Sequence, residues 1–111
     1  MEMMNRQIWE IFVPTKRKDG KPIKTKHHKQ WDKKVQKITD GLTIYTPTVG
    51  KWKSKDGKEY IDRMIPVRIV ATEGQMKEIV EITLSHYSDE EAVMAYVLSE
   101  KYILSERSDG T

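Results

Sequence analysis

The sequence predicts an α+β fold, a two-layer sandwich of one antiparallel sheet with two helices packed on one face. Apolar residues alternate along Gln7–Val13, which is typical of a strand. Along Thr72–Tyr87 they recur instead at the spacing of an amphipathic helix. The pair Asp56-Gly57 lies between two extended segments and indicates a β-hairpin.

The first strand is predicted to lie inside the sheet, because it carries bulky side chains on both faces. Trp9, Ile11 and Val13 share one face, and Ile8 and Phe12 lie on the other. Pro14 ends the strand, and the loop 15–26 contains a turn at Lys18-Asp19-Gly20.

A short basic helix follows at 27–39, since Trp31, Val35 and Ile38 recur at i, i+4 and i+7. Asp40-Gly41 ends this helix, and 42–47 is the second strand.

The hairpin around Asp56-Gly57 leads into a third strand at 59–70. Pro66 cannot donate a ladder hydrogen bond, so the strand is expected to have a bulge there or to lie at an edge. The second helix at 72–87 begins at Thr72 as N-cap. The residues 88–104 fit either strand or helix, and we favour one helical turn at 88–91 followed by a fourth strand over 92–104.

The resulting order, β-α-β-β-α-β, is that of the ferredoxin-like fold with an extra basic β-hairpin arm. We expect a single domain over residues 1–106 and a flexible C-terminal tail over 107–111. The chain also resembles small ferredoxin-like proteins, including ones encoded by phages. This resemblance lies in Trp9, Pro14, Trp31, Gly41-Leu42-Thr43-Ile44, Gly50-Lys51-Trp52 and Asp56-Gly57. It implies the fold and, as a biological setting, sequestration of a host immune signal, but no catalytic residue.

Positive charge is concentrated in one segment of the chain. Ten of the 20 basic residues and two of the 17 acids lie between Lys16 and Lys37, so this segment carries +8 and the rest −5. Such a block either attracts anions or simply keeps the surface solvated. Lysines also flank Trp52 on the hairpin, and an aromatic ring among lysines suits stacking on a nucleobase. The predicted ligand-binding residues are Lys16, Arg17, Lys18, Lys26, His28, Lys29, Lys33, Lys51, Trp52 and Lys53.

Several functional classes find no support in the sequence. There is no cysteine, so disulfides and thiol chemistry are excluded. His27 and His28 point about 100° apart on a helix and His86 lies in another element, so neither a metal site nor a cofactor is expected. No apolar run is long enough to span a bilayer, and we expect a cytoplasmic protein with no membrane partner.

Three functional hypotheses remain. The favoured one is a non-enzymatic binding protein for an anionic phosphate-bearing ligand, such as a nucleotide or a nucleotide-derived signal. The alternatives are a nucleic-acid-binding protein and a small dimeric enzyme of the α+β barrel type, for which no catalytic residues are identified. A homodimer is expected, because the sheet face without helices would expose apolar side chains: Ile8, Phe12, Met64 and either Tyr45 or Tyr96. Within this scheme Trp31 is structural and Trp52 is partly exposed.

Overall fold

In a computed structural model, residues 6–39 and 41–107 are described, and they form five strands and two helices. In chain order these are β1 (Arg6–Pro14), α1 (Thr25–Gln36), β2 (Leu42–Ile44), β3 (Thr48–Lys53), β4 (Glu59–Thr72), α2 (Glu73–His86) and β5 (Ala95–Ser99).

The strands form one antiparallel sheet in the order β2-β4-β1-β5, and β3 pairs with β4 beyond β2. The α+β class, the ferredoxin-like order and the central position of β1 are therefore confirmed. β2 and β3 together occupy one edge of the sheet, so the second strand is shorter than predicted and its continuation is the arm.

Of the two alternatives predicted for Pro66, the edge position is wrong, since this proline lies in β4, an interior strand whose register with β1 is unbroken from Arg6–Thr72 to Pro14–Met64. Its carbonyl accepts a bond from the Tyr45 amide, so its nitrogen faces the same side of the strand. That side is the gap between β2 and β3, where the register changes from Ile44–Val67 to Thr48–Met64. The missing N–H thus falls where the neighbouring strand is interrupted.

The core lies between the sheet and both helices. Its centre is the side chain of Trp31, which is 1% exposed and whose indole N–H donates to Thr83 Oγ1 of α2 at 2.9 Å. This bond satisfies the one polar atom of a large buried ring. The surrounding apolar side chains come from α1, α2, β1 and β4: Val35, Met76, Ile79, Ile11, Val13, Val67, Ile69 and Ala71.

The helix termini show one confirmed start and one shift. Thr72 caps α2 as predicted, and it forms a reciprocal capping box with Gln75. α1 runs from Thr25 to Gln36, two residues earlier than expected at its start, and Lys24 at its N-cap position makes no side-chain capping bond. α1 also ends at Gln36, three residues before the predicted end at 39, and of the predicted stop Asp40-Gly41 the first residue lies outside the described residues.

The C-terminal part differs most from expectation. The residues 88–91 form turns and bends rather than a helical turn, and strand pairing is limited to Ala95–Ser99. β5 follows the exposed edge of β1, which offers it partners only from Ile8 to Ile11. Of the predicted tail, Arg107 is exposed and irregular, and 108–111 lie outside the described residues.

The predicted basic arm is present. β3 and the first part of β4 pair from Lys53–Glu59 to Thr48–Met64, beyond the last β1 residue that pairs with β4. Gly57 has φ +85°, a left-handed conformation that the turn requires and glycine adopts readily. Trp52 is 38% exposed on this arm, as the prediction of partial exposure requires.

Replacing Trp31 by Ala should lower the free energy of unfolding by about 3–5 kcal/mol, because it empties the centre of the core. Urea denaturation measures the change. Trp52→Ala is the matched control, and it should leave stability nearly unchanged because that ring is partly exposed. Equal losses for the two variants would contradict the assigned roles.

Candidate functional site

Two clefts meet where β1 ends. The loop after β1 folds back on itself as a small hairpin, with a bridge between Lys16 and Pro22 and a turn at Gly20, whose φ is +84°. The turn predicted at Lys18-Asp19-Gly20 is therefore present. The Lys18 amide donates to Asp89 Oδ2 at 2.8 Å, which ties this loop to the connection between α2 and β5.

The first cleft, called here the histidine cleft, has a volume of about 450 Å³. Basic side chains from the loop form one wall, and the ends of α1 and α2 form the other. Its lining includes Lys16, Arg17, Lys24, His27, His86, Tyr87, Asp89 and Glu90. Arg17 also pairs with Asp19 at 3.2 Å, although both side chains are exposed.

His27 and His86 form a reciprocal contact that we call the histidine clamp. His27 Nε2 lies 2.8 Å from the His86 carbonyl, and His86 Nε2 lies 2.7 Å from the His27 carbonyl. The two rings stack with centroids 3.9 Å apart. Because a carbonyl only accepts, both Nε2 atoms carry the proton. The clamp joins the start of α1 to the end of α2 directly at the cleft.

The other imidazole nitrogens define the protonation state of the cluster. His86 Nδ1 lies 3.1 Å from Lys34 Nζ, which has only hydrogens to give, so Nδ1 accepts and the ring is neutral. Burial lowers the pKa of His86 below its ordinary value. Tyr87, which is 3% exposed, has its pKa raised by burial, so its hydroxyl donates to His28 Nδ1 at 2.6 Å. Burial also lowers the pKa of His28.

The second cleft, the Trp52 cleft, has a volume of about 460 Å³ and lies at the base of the arm. It shares Pro14, Lys16 and Glu90 with the histidine cleft. Most of its lining is apolar and includes Phe12, Trp52, Met64 and Met94. Its polar groups are Thr15, Lys16, Asp62, Arg63 and Glu90. Burial, followed by the charge of Asp62 and other nearby acids, raises the pKa of Glu90.

Trp52 is held against the sheet by the absence of a side chain at Gly50. A Cβ at that position would lie 3.1 Å from the indole ring and 2.6 Å from Met64 Cε. Glycine therefore lets the indole cover the strand, and the exposed part of the ring borders the cleft.

The predicted ligand-binding residues separate into groups. Lys16, Arg17 and Trp52 border the two clefts, whereas His28 is bonded to Tyr87 beneath them. The remaining predicted residues lie exposed elsewhere: Lys18, Lys26, Lys29, Lys33, Lys51 and Lys53. Lys26, Lys29 and Lys33 lie on the solvent side of α1, away from its buried Trp31 and Val35.

A polar row crosses the open face, defined as the sheet face opposite the helices and carrying Ile8, Glu10 and Phe12 of β1. Glu10, 8% exposed, accepts from Arg68 at 3.2 Å and from the hydroxyl of Tyr96. The Arg68 guanidinium lies 4.7 Å from the ring centroid of Tyr45. Three of these side chains belong to β5, β1 and β4, and Tyr45 directly follows β2, so the row spans the sheet.

Sequence reasoning missed several residues of this site. His27 had a signal, because it continues the buried stripe of Trp31 and Val35 at i, i+4 and i+8. Its pairing with His86, 59 residues away, had none. Arg63 and Glu90 come to the Trp52 cleft only through the pairing of β4 and the course of the α2–β5 connection.

Two negative observations hold for the described part of the chain. Within it, no three His, Asp or Glu side chains are grouped so that they could hold a metal ion. Over the same residues, no helix has both the length and the apolar character of a membrane span.

The comparisons with known proteins define the fold alone. No family model and no curated protein matches the sequence. CutA1 from Oryza sativa is similar in structure, with TM-score 0.66, 14% identity, and coverage of 89% of this chain and 83% of that one. The periplasmic divalent cation tolerance protein CutA from Archaeoglobus fulgidus has a TM-score of 0.65 and 11% identity, and the match covers 89% of this chain and 87% of that one. A phage SAM lyase in complex with S-methyl-5′-thioadenosine has a TM-score of 0.63 and 13% identity, and the match covers 90% of this chain and 87% of that one. These likenesses show a ferredoxin-like α+β fold, which this chain shares with CutA1 proteins and with the phage enzyme.

The histidine cluster should make stability depend on pH. Because the pKa values of His28 and His86 are lowered from 6.5, the folded protein binds fewer protons than the unfolded chain near that pH. Stability is then greatest above 6.5 and decreases as pH falls through that value. The pKa values of Asp32 and Glu90 are raised from 3.8 and 4.5, so just above these pH values the folded protein binds more protons than the unfolded chain. These two groups therefore increase stability as the pH falls towards 3.8 and 4.5.

Urea midpoints at pH 8, 7 and 6 measure this dependence. The double variant His28→Gln, His86→Gln should show a flatter profile over this range than the unsubstituted protein. A midpoint that rises on acidification from pH 8 to 6 would show the opposite proton linkage and contradict the assignment.

Proposed function

We propose that the protein binds a small phosphate-bearing ligand, a nucleotide or a nucleotide-derived signal, across the two adjoining clefts, without chemical conversion. The observation that carries the proposal is that a largely apolar cleft with an exposed indole shares Pro14, Lys16 and Glu90 with a second cleft. The second cleft is lined by three cations, Lys16, Arg17 and Lys24, and by two acids, Asp89 and Glu90. A nucleotide joins a flat aromatic base to an anion, and each cleft suits one of these parts. The volumes, about 450 and 460 Å³, lie within the usual range for small-molecule sites.

In this arrangement the base lies in the Trp52 cleft. The indole gives a stacking surface, and Phe12, Met64 and Met94 remove the base from water. Arg63 and Asp62 supply a donor and an acceptor for its polar edge.

The phosphate lies in the histidine cleft. Lys16, Arg17 and Lys24 provide positive charge along one wall, and the first turn of α1, with no acidic residue, begins beside Lys24. Lys16 borders both clefts and would contact the ligand between its two parts.

A protein of the same fold supports the feasibility of such a ligand. The phage SAM lyase has been solved with S-methyl-5′-thioadenosine, which carries an adenine base. At 13% identity this likeness shows only that the fold is shared. A phage setting and the capture of an immune signal remain part of the proposal.

Charge reversal in the clefts should abolish binding. Lys16→Glu with Arg17→Glu should weaken binding of ATP or a cyclic dinucleotide by tenfold or more, because charge-assisted bonds contribute about 1.5–3 kcal/mol each. Isothermal titration calorimetry measures the affinity. The matched control is Lys26→Glu with Lys33→Glu, the same charge change on the exposed side of α1. Trp52→Ala should also weaken binding, and Val49→Ala, on the opposite face of the same arm, should not.

The outcomes distinguish the alternatives. A loss of binding only in the control pair would move the anion site to the outer face of α1 and overturn the cleft assignment. Preferred binding of oligonucleotides, with a loss of ~10³-fold or more between 50 and 200 mM salt, would favour the nucleic-acid hypothesis.

A second candidate function follows from the acids in the Trp52 cleft. Asp62 and Glu90 would suit a cationic nucleoside such as a sulfonium, because both acids border the cleft proposed to hold the base. Incubation with S-adenosylmethionine and chromatography for S-methyl-5′-thioadenosine tests this directly. Formation of that product would make the protein an enzyme and overturn the non-enzymatic proposal.

We also infer that two copies associate through the open face. Its side chains are mainly apolar or aromatic, and Glu10 and Arg68 neutralise each other, so two copies could meet without like charges opposed.

The interface can be tested at one tyrosine. Tyr96, 36% exposed on β5, lies on the open face, because it is paired with Glu10 in the sheet. Tyr96→Arg should convert a dimer to a monomer in light scattering at tens of micromolar. Leu84→Arg, at a comparably exposed leucine on α2, should leave the dimer intact. A monomeric unsubstituted protein would contradict the proposal.

A further inference from the structure

We propose that the histidine clamp is a proton-operated latch, which holds the histidine cleft in shape when neutral and releases the start of α1 when His86 is protonated. Its effect on a ligand rests on the function proposed above, whereas its structural part does not. The clamp deepens that proposal because His27 and His86 are themselves walls of the cleft.

The geometry allows only a neutral His86. Its Nε2–H is donated to the His27 carbonyl, and its Nδ1 accepts from Lys34 Nζ at 3.1 Å. Protonation of Nδ1 would oppose two donors and place two positive charges side by side. The His27 ring stacks on the His86 ring with centroids 3.9 Å apart. The His86 ring therefore cannot move away from Lys34 within its plane without breaking the clamp. The pKa of His86 is lowered by burial, in agreement with this geometry.

The charged groups around the clamp come from every neighbouring element. α1 contributes Lys34, His28 and Asp32. Burial lowers the pKa of His28, and the Asp32 carboxylate partly offsets this lowering. The α2 terminus contributes Tyr87. The loops contribute the remaining cleft groups, which are Lys16, Arg17, Lys24, Asp89 and Glu90. The cation nearest to His86 is Lys34, which makes it the group to change.

Release would be local, because α1 is held by two separate attachments. Near its middle, buried Trp31 donates to Thr83. At its start, Lys24 makes no side-chain capping bond, so the first turn depends on the clamp and the adjacent His28–Tyr87 bond. Opening the clamp therefore leaves the first turn held by the His28–Tyr87 bond alone, so this turn and the cleft wall loosen while the Trp31 anchor stays in place.

Histidine ring NMR over pH 8 to 5 tests the latch. In the unsubstituted protein, His86 should titrate below 6.5, and amides of the first turn of α1 and the last turn of α2 should shift with it, whereas the Trp31 indole signal should not. Lys34→Met removes the opposing charge, so the pKa of His86 should rise and the amide shifts of the first turn should shrink. Lys33→Met, an exposed neighbour of equal charge, should titrate like the unsubstituted protein.

Titration of His86 at its ordinary value, or an unchanged pKa in Lys34→Met, would overturn the latch. The ligand arm uses a cyclic dinucleotide, whose phosphodiesters keep their charge over this range. Its affinity should fall severalfold from pH 7 to 5 in the unsubstituted protein and much less in Lys34→Met. Should the probe bind at no pH while His86 titrates as described, the proposed function fails and the latch stands. If the probe binds equally at pH 7 and 5 in both proteins, control of the cleft by the latch is refuted.

Discussion

The pairing of β1 with β4 is the constraint on which the other features depend. Nine residue pairs in unbroken antiparallel register hold two interior strands together. Because side chains alternate, this one register sends Ile11 and Val67 towards the helices and Glu10 and Arg68 to the open face. A slip by one residue would exchange the core for the polar row. The same register brings Pro14 to Met64, which is where the two clefts meet and the arm begins.

The helices are fitted to this sheet by a few polar contacts among many apolar ones. The bond from Trp31 to Thr83 and the reciprocal bonds of His27 and His86 connect α1 and α2 at two levels. The deeper contact lies in the core and is insensitive to protons over the physiological range. The outer contact lies at a cleft and includes His86, whose pKa is lowered by burial. The contact that stabilises the core and the contact that we propose to respond to pH thus lie in different turns of the same helix pair.

The basic segment 16–37 contributes less to the clefts than its concentration of positive charge indicates. Lysine side chains over 16–37 are distributed between a loop that borders the clefts and a helix face that points to solvent. A helix must turn one side towards the core, so a run of lysines around it cannot all reach one ligand. Lys16 and Arg17 are near the candidate site because the loop folds back on itself, a property of the turn at Gly20 rather than of charge.

Local patterns in the sequence determined the element types, the capped start of α2, the turns at Gly20 and Gly57, and the contrast between buried Trp31 and partly exposed Trp52, since each depends on nearby residues. The tertiary structure decided what depends on distant partners. Pro66 occupies an interior strand because the opposite edge is split between β2 and β3, and 88–91 forms no helical turn. His27 meets His86, and Trp52 shares a cleft with Glu90, only after the sheet has set the helix ends and the arm in place. Such contacts leave no periodic pattern in the sequence, because tertiary packing, and not sequence spacing, brings these residues together.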